Sequence, residues 1–230
     1  MTAVSPLVFV VDDNLSIRKS LTRLLGSAGY LVEAFASARE FLAHPQHPGP
    51  CCLVLDVRMP GLTGIQLQEM LAATGRRLSI VFVTGHADVP TSVKAMKAGA
   101  VDLLTKPVDA EDLIPAIQRA LTRDEHDRAA DMRRAEIQRR VSLLTARETE
   151  VFALVVTGMQ NKRIAAALGI VEKTVKVHRA RAMEKMRAGS VAELVRLADE
   201  AGVTVPKRDV EWLGKAHRVP SREGIDELAR

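Results

Sequence analysis

Four short strand-like runs in the first half of the chain each end in residues that can do chemistry. Leu7–Val11 runs into Asp12 and Asp13, Cys51–Leu55 into Asp56, Ile80–Val83 into Thr84, and Val101–Leu104 into Thr105, Lys106 and Pro107. A polar residue ends many strands, so no one of these is informative by itself. Three carboxylates, a hydroxyl and a lysine at the ends of four strands are much harder to obtain by chance. Carboxylates held close together repel one another unless a cation sits among them, and an all-oxygen site of this kind suits Mg2+. A carboxylate can also act as a nucleophile toward phosphorus, giving an aspartyl phosphate. The spread negative charge of a transferring phosphoryl group is stabilised by a metal and a lysine, and Thr84 can donate a hydrogen bond to the new phosphoryl oxygens.

These residues lie far apart in sequence, so the elements between them must bring them together. The runs alternate with stretches of helical spacing, at 15–28, 37–43, 65–72, 89–98 and 110–121, with Leu31–Ala34 as a further, weaker strand. Five strand–helix repeats whose strands are mostly unbroken apolar runs predict a parallel sheet covered on both faces. The expected fold of residues 1–122 is therefore α/β, a doubly wound five-stranded parallel sheet of the flavodoxin-like kind. Such sheets bind ligands at the carboxyl ends of their strands. Asp12, Asp13, Asp56, Thr84 and Lys106 are all placed there.

Residues 123–141 are dense in charge and alanine, without Gly or Pro, and read as a helical linker that can continue the preceding helix. Met132, Ile137, Val141 and Leu144 are too sparse for a coiled coil. Residues 142–205 then read as a small all-α domain. Thr145 and Glu148 form a capping-box pattern for a helix through Val156. Asn161 is expected to cap a second helix, Lys162–Leu168, stopped by Gly169. A third helix runs from Glu172 to about Arg187, ended by Gly189, and Ser190 caps a fourth through Glu200. The tail, 206–230, is polar, with one tryptophan, Trp212; loose order and a short helix are all that is expected of it.

The chain of 230 residues carries a net charge of +5, and its distribution is uneven. Residues 1–122 hold 11 basic and 11 acidic side chains, whereas 158–190 hold 8 basic against 2 acidic. That window suits an anionic partner, although a solvated basic face would look the same. Aromatic residues make up 3% of the chain, which argues against stacking on single-stranded nucleic acid. No apolar run approaches the ~20 residues of a membrane span, and Met1–Pro6 lacks the basic start of a signal peptide, so a cytoplasmic protein without a membrane partner is expected. The two cysteines, Cys51 and Cys52, are adjacent in one strand and point to opposite faces. That geometry disfavours a disulfide between them, and two ligands alone do not make a zinc site, so both are read as small core residues.

The motifs V-V-D-D-N at 10–14, L-D-V-R-M-P-G at 55–61 with Gly64 following, T-G-H-A-D-V at 84–89 and K-A-G-A-V-D-L-L-T-K-P at 97–107 resemble the receiver domain of a FixJ-type response regulator over about residues 5–122. The resemblance implies Asp56 as the phosphoacceptor. It implies Mg2+ held by Asp13, Asp56 and the Arg58 backbone carbonyl, with Asp12 assisting through water. Thr84 and Lys106 would be the phosphate-sensing pair, and the Lys106–Pro107 bond would be cis. Two positions depart from the pattern: Leu103 stands where receivers usually carry a switching aromatic ring, and Val108 replaces a common Phe.

L-T-A-R-E-T-E-V at 144–151, N-K-R-I-A-A-A-L-G-I at 161–170 and V-E-K-T-V-K-V-H-R-A-R at 171–181 resemble the LuxR/NarL-type helix-turn-helix. On the third helix Val175, His178, Ala182 and Met186 form an inward stripe, with His178 expected to be packed and hydrogen-bonded. Lys176 and Val177 are candidates for base contacts in the major groove of double-stranded DNA, with Thr174 beside them. Lys162, Arg163, Lys173, Arg179 and Arg181 are candidates for phosphate contacts. Together the two resemblances are those of a two-component response regulator of the NarL/FixJ type, a transcription regulator rather than an enzyme. A sensor histidine kinase would phosphorylate it, it would form a homodimer on phosphorylation through the 89–106 face, and RNA polymerase is expected as a further partner. Two rivals stand beside this. One is an enzyme regulated by its receiver, for which nothing after residue 143 offers a nucleophile–base pair, a Gly-rich loop or a metal cluster. The other is a DNA-binding protein whose receiver is never phosphorylated, against which the intact acidic set counts.

Overall fold

The computed structural model describes residues 5–85 and 88–202. His86 and Ala87 of the 84–89 motif, the last residues of the 142–205 span, and the 206–230 tail with Trp212 lie outside the described residues. The chain divides into two compact units, Met1–Ala130 and Asp131–Arg230.

In the first unit, β1 (Leu7–Val11), α1 (Leu15–Ser27), β2 (Leu31–Phe35), α2 (Ala38–Ala43), β3 (Cys51–Asp56), α3 (Gly64–Ala73), β4 (Ser79–Thr84), α4 (Val89–Lys97) and β5 (Asp102–Thr105) alternate, followed by α5 (Ala110–Ser142). The strands pair in parallel in the order β2-β1-β3-β4-β5. Strand alternation sorts the side chains into two cores. Phe9, Phe41, Leu53, Leu55, Leu67, Leu71 and Phe82 fill one face, under α2 and α3. Val8, Val10, Leu25, Cys52, Val54, Val81, Val83, Leu113 and Ile117 fill the other, under α1 and α5. The doubly wound sheet expected from the sequence is thus present. Cys51 and Cys52 are free thiols, buried on opposite faces.

The helix expected at 110–121 continues without a break through the charged stretch to Ser142. Its residues beyond 122 are tied to the sheet: the buried Asp124 carboxylate accepts from the Cys51 amide (2.9 Å) and from Arg128 Nε (2.6 Å). Within the second unit, Ile137 of the same helix is buried in the helical core.

That second core is built by α6 (Ala146–Val156), α7 (Asn161–Leu168), α8 (Glu172–Met186) and α9 (Val191–Glu200). The Thr145–Glu148 capping box forms as expected. Asn161 does not cap α7: the cap position is Gln160, whose side chain makes no capping bond, and Asn161 is the first helical residue. Nor does Gly189 end α8, which stops at Arg187 in a left-handed conformation (φ 55°).

Candidate functional site

The strand order reverses direction between β1 and β3, and that switch point is where an open α/β sheet leaves a crevice at its carboxyl edge. Asp12 follows β1 and Asp56 ends β3, so both stand at the crevice. One ligand oxygen from each of Asp12, Asp13 and Asp56 lies within 4.8 Å of the others. Asp12 and Asp56 are buried, and Asp13 is exposed. Lys106, just past the end of β5, places Nζ 2.6 Å from Asp12 Oδ2 and 3.1 Å from Asp56 Oδ2. Thr84 is buried at the end of β4. The structure therefore brings Asp12, Asp13, Asp56 and Lys106 together, with Thr84 at the same carboxyl edge of the sheet.

Backbone geometry fixes the set. The Asn14 amide donates to Asp12 Oδ1 (2.8 Å), and Arg18 Nη1 reaches back from the first turn of α1 to donate to the Asp12 carbonyl (2.6 Å). The Arg58 amide donates to Asp56 Oδ1 (3.3 Å), and the Arg58 guanidinium meets Asp88, the N-cap of α4 (3.5 Å). Gly64 approaches so closely that a Cβ there would collide with the Asp56 carbonyl oxygen. The Lys106–Pro107 peptide is cis, and the Lys106 amide donates to the Thr84 carbonyl (2.8 Å). Leu103, at the usual aromatic position, packs half-buried against the core.

Three carboxylates share one lysine ammonium at this edge. Burial raises the Asp56 pKa above the ordinary carboxylate value, against the lowering effect of the Lys106 hydrogen bond and charge. Burial also works against the Lys106 ammonium, but hydrogen bonds and charge from Asp12 and Asp56 outweigh it and hold the lysine pKa above its usual value. The donor set fits a small hard cation. Oxygens around one Mg2+ lie ~2.1 Å from it and so at most ~4.2 Å apart, and a bridging water covers any wider gap.

In the helical unit, Val175, Ala182 and Met186 of α8 are buried. His178 is half-buried on the same stripe, but its Nδ1 is buried without a hydrogen-bond partner, contrary to the hydrogen-bonded histidine expected. The other face presents Lys173, Lys176, Val177 and Arg181 to solvent, with Thr174 half-buried. Lys162 and Arg163 are exposed in the first turn of α7. Arg179 is half-buried and donates from Nη1 to Asn161 Oδ1 (3.0 Å), which binds the start of α7 to the middle of α8. The turn between these helices runs through Gly169, held in the left-handed region at φ 66°, where a side chain would be strained. Two partners escaped the sequence reading: Asn161, whose side chain serves Arg179 instead of a cap, and Glu172, which lies 3.3 Å from Lys176 Nζ. The four-residue spacing of Glu172 and Lys176 was the available signal.

An α/β unit with a carboxylate trio and a lysine at its switch point, on one chain with a helix-turn-helix, defines a signal receiver coupled to a DNA-binding output. Comparison with known proteins agrees. Residues 8–118 match the response regulator receiver domain, and residues 142–198 match the bacterial regulatory proteins of the luxR family. Nodulation protein W of Bradyrhizobium diazoefficiens is 46% identical over 198 residues, 86% of this chain and 87% of that one. The transcriptional regulatory protein FixJ of Azorhizobium caulinodans is 43% identical, over 85% and 93% of the two chains. Among solved structures, the response regulator StyR matches with a TM-score of 0.74 and 46% identity, over 86% of this chain and all of that one. The chain belongs to the two-component response regulators of the NarL/FixJ type, phosphoacceptor transcription regulators rather than enzymes.

Proposed function

We propose that a sensor histidine kinase phosphorylates this protein on Asp56, and that the phosphorylated chain dimerises and binds promoter DNA to regulate transcription. The observation that carries the reading is the Lys106 ammonium held between Asp12 and Asp56 at the sheet's switch point. An Asp56 carboxylate oxygen attacks phosphorus, the bond from phosphorus to the kinase histidine nitrogen breaks, and that nitrogen keeps the electron pair. Lys106 offsets charge on the arriving group, and Thr84 donates to a phosphoryl oxygen. Asp12, Asp13, Asp56 and the Arg58 backbone carbonyl are the residues to hold Mg2+, which supplies further charge neutralisation when bound.

In this reading residues 1–122 are the receiver, 123–141 the helical linker and 142–205 the DNA-binding domain. The 89–106 face is the dimer surface, supported by exposed Val89, Val93 and Met96 on α4. Two helix-turn-helix domains on one duplex make the second contact intramolecular, which multiplies affinity ~10²–10⁴-fold without new contacts. Lys176 and Val177 reach base edges with Thr174 beside them, while Lys162, Arg163, Lys173, Arg179 and Arg181 hold phosphates. RNA polymerase is the further partner. Among the described residues no helix is long and apolar enough to cross a membrane. The proposed DNA partner is what supports a cytoplasmic location.

The test compares wild type with Asp56→Asn, which keeps shape and removes the nucleophile. With a small acyl phosphate donor and Mg2+, wild type should take up label, sediment as a dimer and bind duplex DNA more tightly; the variant should do none of these. Wild-type labelling of the variant would move the phosphosite elsewhere. Labelling of wild type without any change in sedimentation or DNA affinity would uncouple the receiver from the output.

A further inference from the structure

Within residues 172–181 the surface of α8 carries four basic side chains, Lys173, Lys176, Arg179 and Arg181, and one acid, Glu172. Glu172 is the first residue of the helix and exposed, and its Oε1 lies 3.3 Å from Lys176 Nζ one turn on. A carboxylate brought to DNA meets phosphate repulsion, so its presence there calls for a compensating contact. The N-terminal residues of a recognition helix are the ones that meet base edges. On the major-groove edge guanine offers two acceptors and thymine one, all of which repel a carboxylate; adenine sets its N6 donor beside the N7 acceptor, whereas cytosine offers its N4 amino group as a donor with no acceptor beside it. Lys176 has the opposite preference, for the acceptors of guanine. The two side chains stand four residues apart, ~6 Å along the helix axis, which is under two base steps of ~3.4 Å. In the free protein the two form an ion pair across one turn.

We propose that Glu172 is a specificity-determining residue: its carboxylate accepts from cytosine N4 within two base pairs of the guanine read by Lys176. The inference rests on the DNA-binding reading above and adds the sequence class that α8 selects. The alternative role for Glu172 is to favour the helix N-terminus and hold Lys176, with no part in reading sequence.

Binding-site selection on random duplexes with the phosphorylated full chain separates the two. Wild type should enrich a site holding a guanine and a cytosine within two base pairs. Replacing that cytosine should weaken binding about tenfold, the scale of one good base contact. Glu172→Gln should move the preference at that position from cytosine to adenine, because an amide pairs with adenine N6 and N7. Glu172→Ala should erase the preference there and raise affinity for unrelated duplexes. If both variants enrich the wild-type site unchanged, Glu172 does not read sequence and the inference falls alone. If wild type itself enriches no site, the DNA-binding reading falls with it.

Discussion

Gly64 lies so close beneath Asp56 that a Cβ on the glycine would overlap the Asp56 carbonyl oxygen, with the Leu55 side chain also within reach. The obstacle is backbone at the end of a buried strand, which cannot swing aside as a flexible side chain would. The first turn of α3 is therefore set against the strand end that aims the Asp56 carboxylate, and the Gly64 amide completes the contact by donating to the Val57 carbonyl (3.0 Å).

Gly64→Ala should consequently lower receiver stability by about 1–3 kcal/mol, the usual range for overpacking. It should also slow phosphoryl uptake, because relief of the clash displaces Asp56. Thermal melting and label uptake from a small phosphodonor measure the two effects. A variant matching wild type in both would mean that the loop after β3 yields without moving the carboxylate.

Lys106→Ala removes the cation between Asp12 and Asp56. Some phosphorylation should remain, since the nucleophile is intact, but its coupling to dimerisation should weaken. Sedimentation of the phosphorylated proteins reads this directly, and equal dimer fractions for variant and wild type would reject a sensing role for the lysine.

Glu148 is buried in the helical unit, where hydrogen bonds from Lys185 (2.6 Å) and the Thr145 amide hold its pKa at about 2, against an ordinary 4.5. A depressed carboxylate contributes stability that is complete above its unfolded value and lost as pH falls through the folded one. Wild type should thus lose stability between about pH 5 and pH 2 by a component that Glu148→Gln lacks. Urea unfolding of the helical transition at both ends of that window tests it: equal pH dependence in the two proteins would place the acid sensitivity elsewhere.

Arg179 and Lys176 should separate in DNA binding. Arg179→Ala should weaken binding to all sequences and reduce the salt slope by about one unit. Asn161→Ala, which releases Arg179 from its anchor, should weaken binding less and leave that slope intact. Lys176→Ala should cost ~1–3 kcal/mol on the selected site and relax base preference. Equal losses on selected and random duplexes for all three would erase the division between positioning and reading.

What the sequence made legible follows from the range of the interactions. The strand ends at Asp12, Asp56 and Thr84 are local events, marked by an apolar run meeting a polar residue, and the capping box at Thr145 and Glu148 spans three residues. The pairing of Lys106 with Asp12 bridges 94 residues, and only the parallel order of the sheet made it foreseeable. Asn161 looked like a cap because its type suits one. Its oxygen instead meets Arg179, 18 residues on, and the cap position falls one residue earlier. Helical spacing puts His178 on the inward stripe, but spacing carries no information about whether a ring nitrogen finds a donor or acceptor. The tie from Asp124 to Cys51 is hidden in the same way, inside a charged run whose composition signals only a helical linker.

The two thiols give the first unit a built-in reporter. Both sit within the sheet, where burial pushes the Cys51 pKa up to about 11 and the Cys52 pKa higher still, so neither offers thiolate to an alkylating reagent at neutral pH. The chain has no other cysteine. The rate at which a maleimide or disulfide reagent modifies this protein therefore clocks the opening of the β3 strand alone, while the helical unit passes unseen by the same reagent. A fluorophore attached through a cysteine placed anywhere on the surface would, for the same reason, carry no background from the native thiols as long as the sheet stays closed.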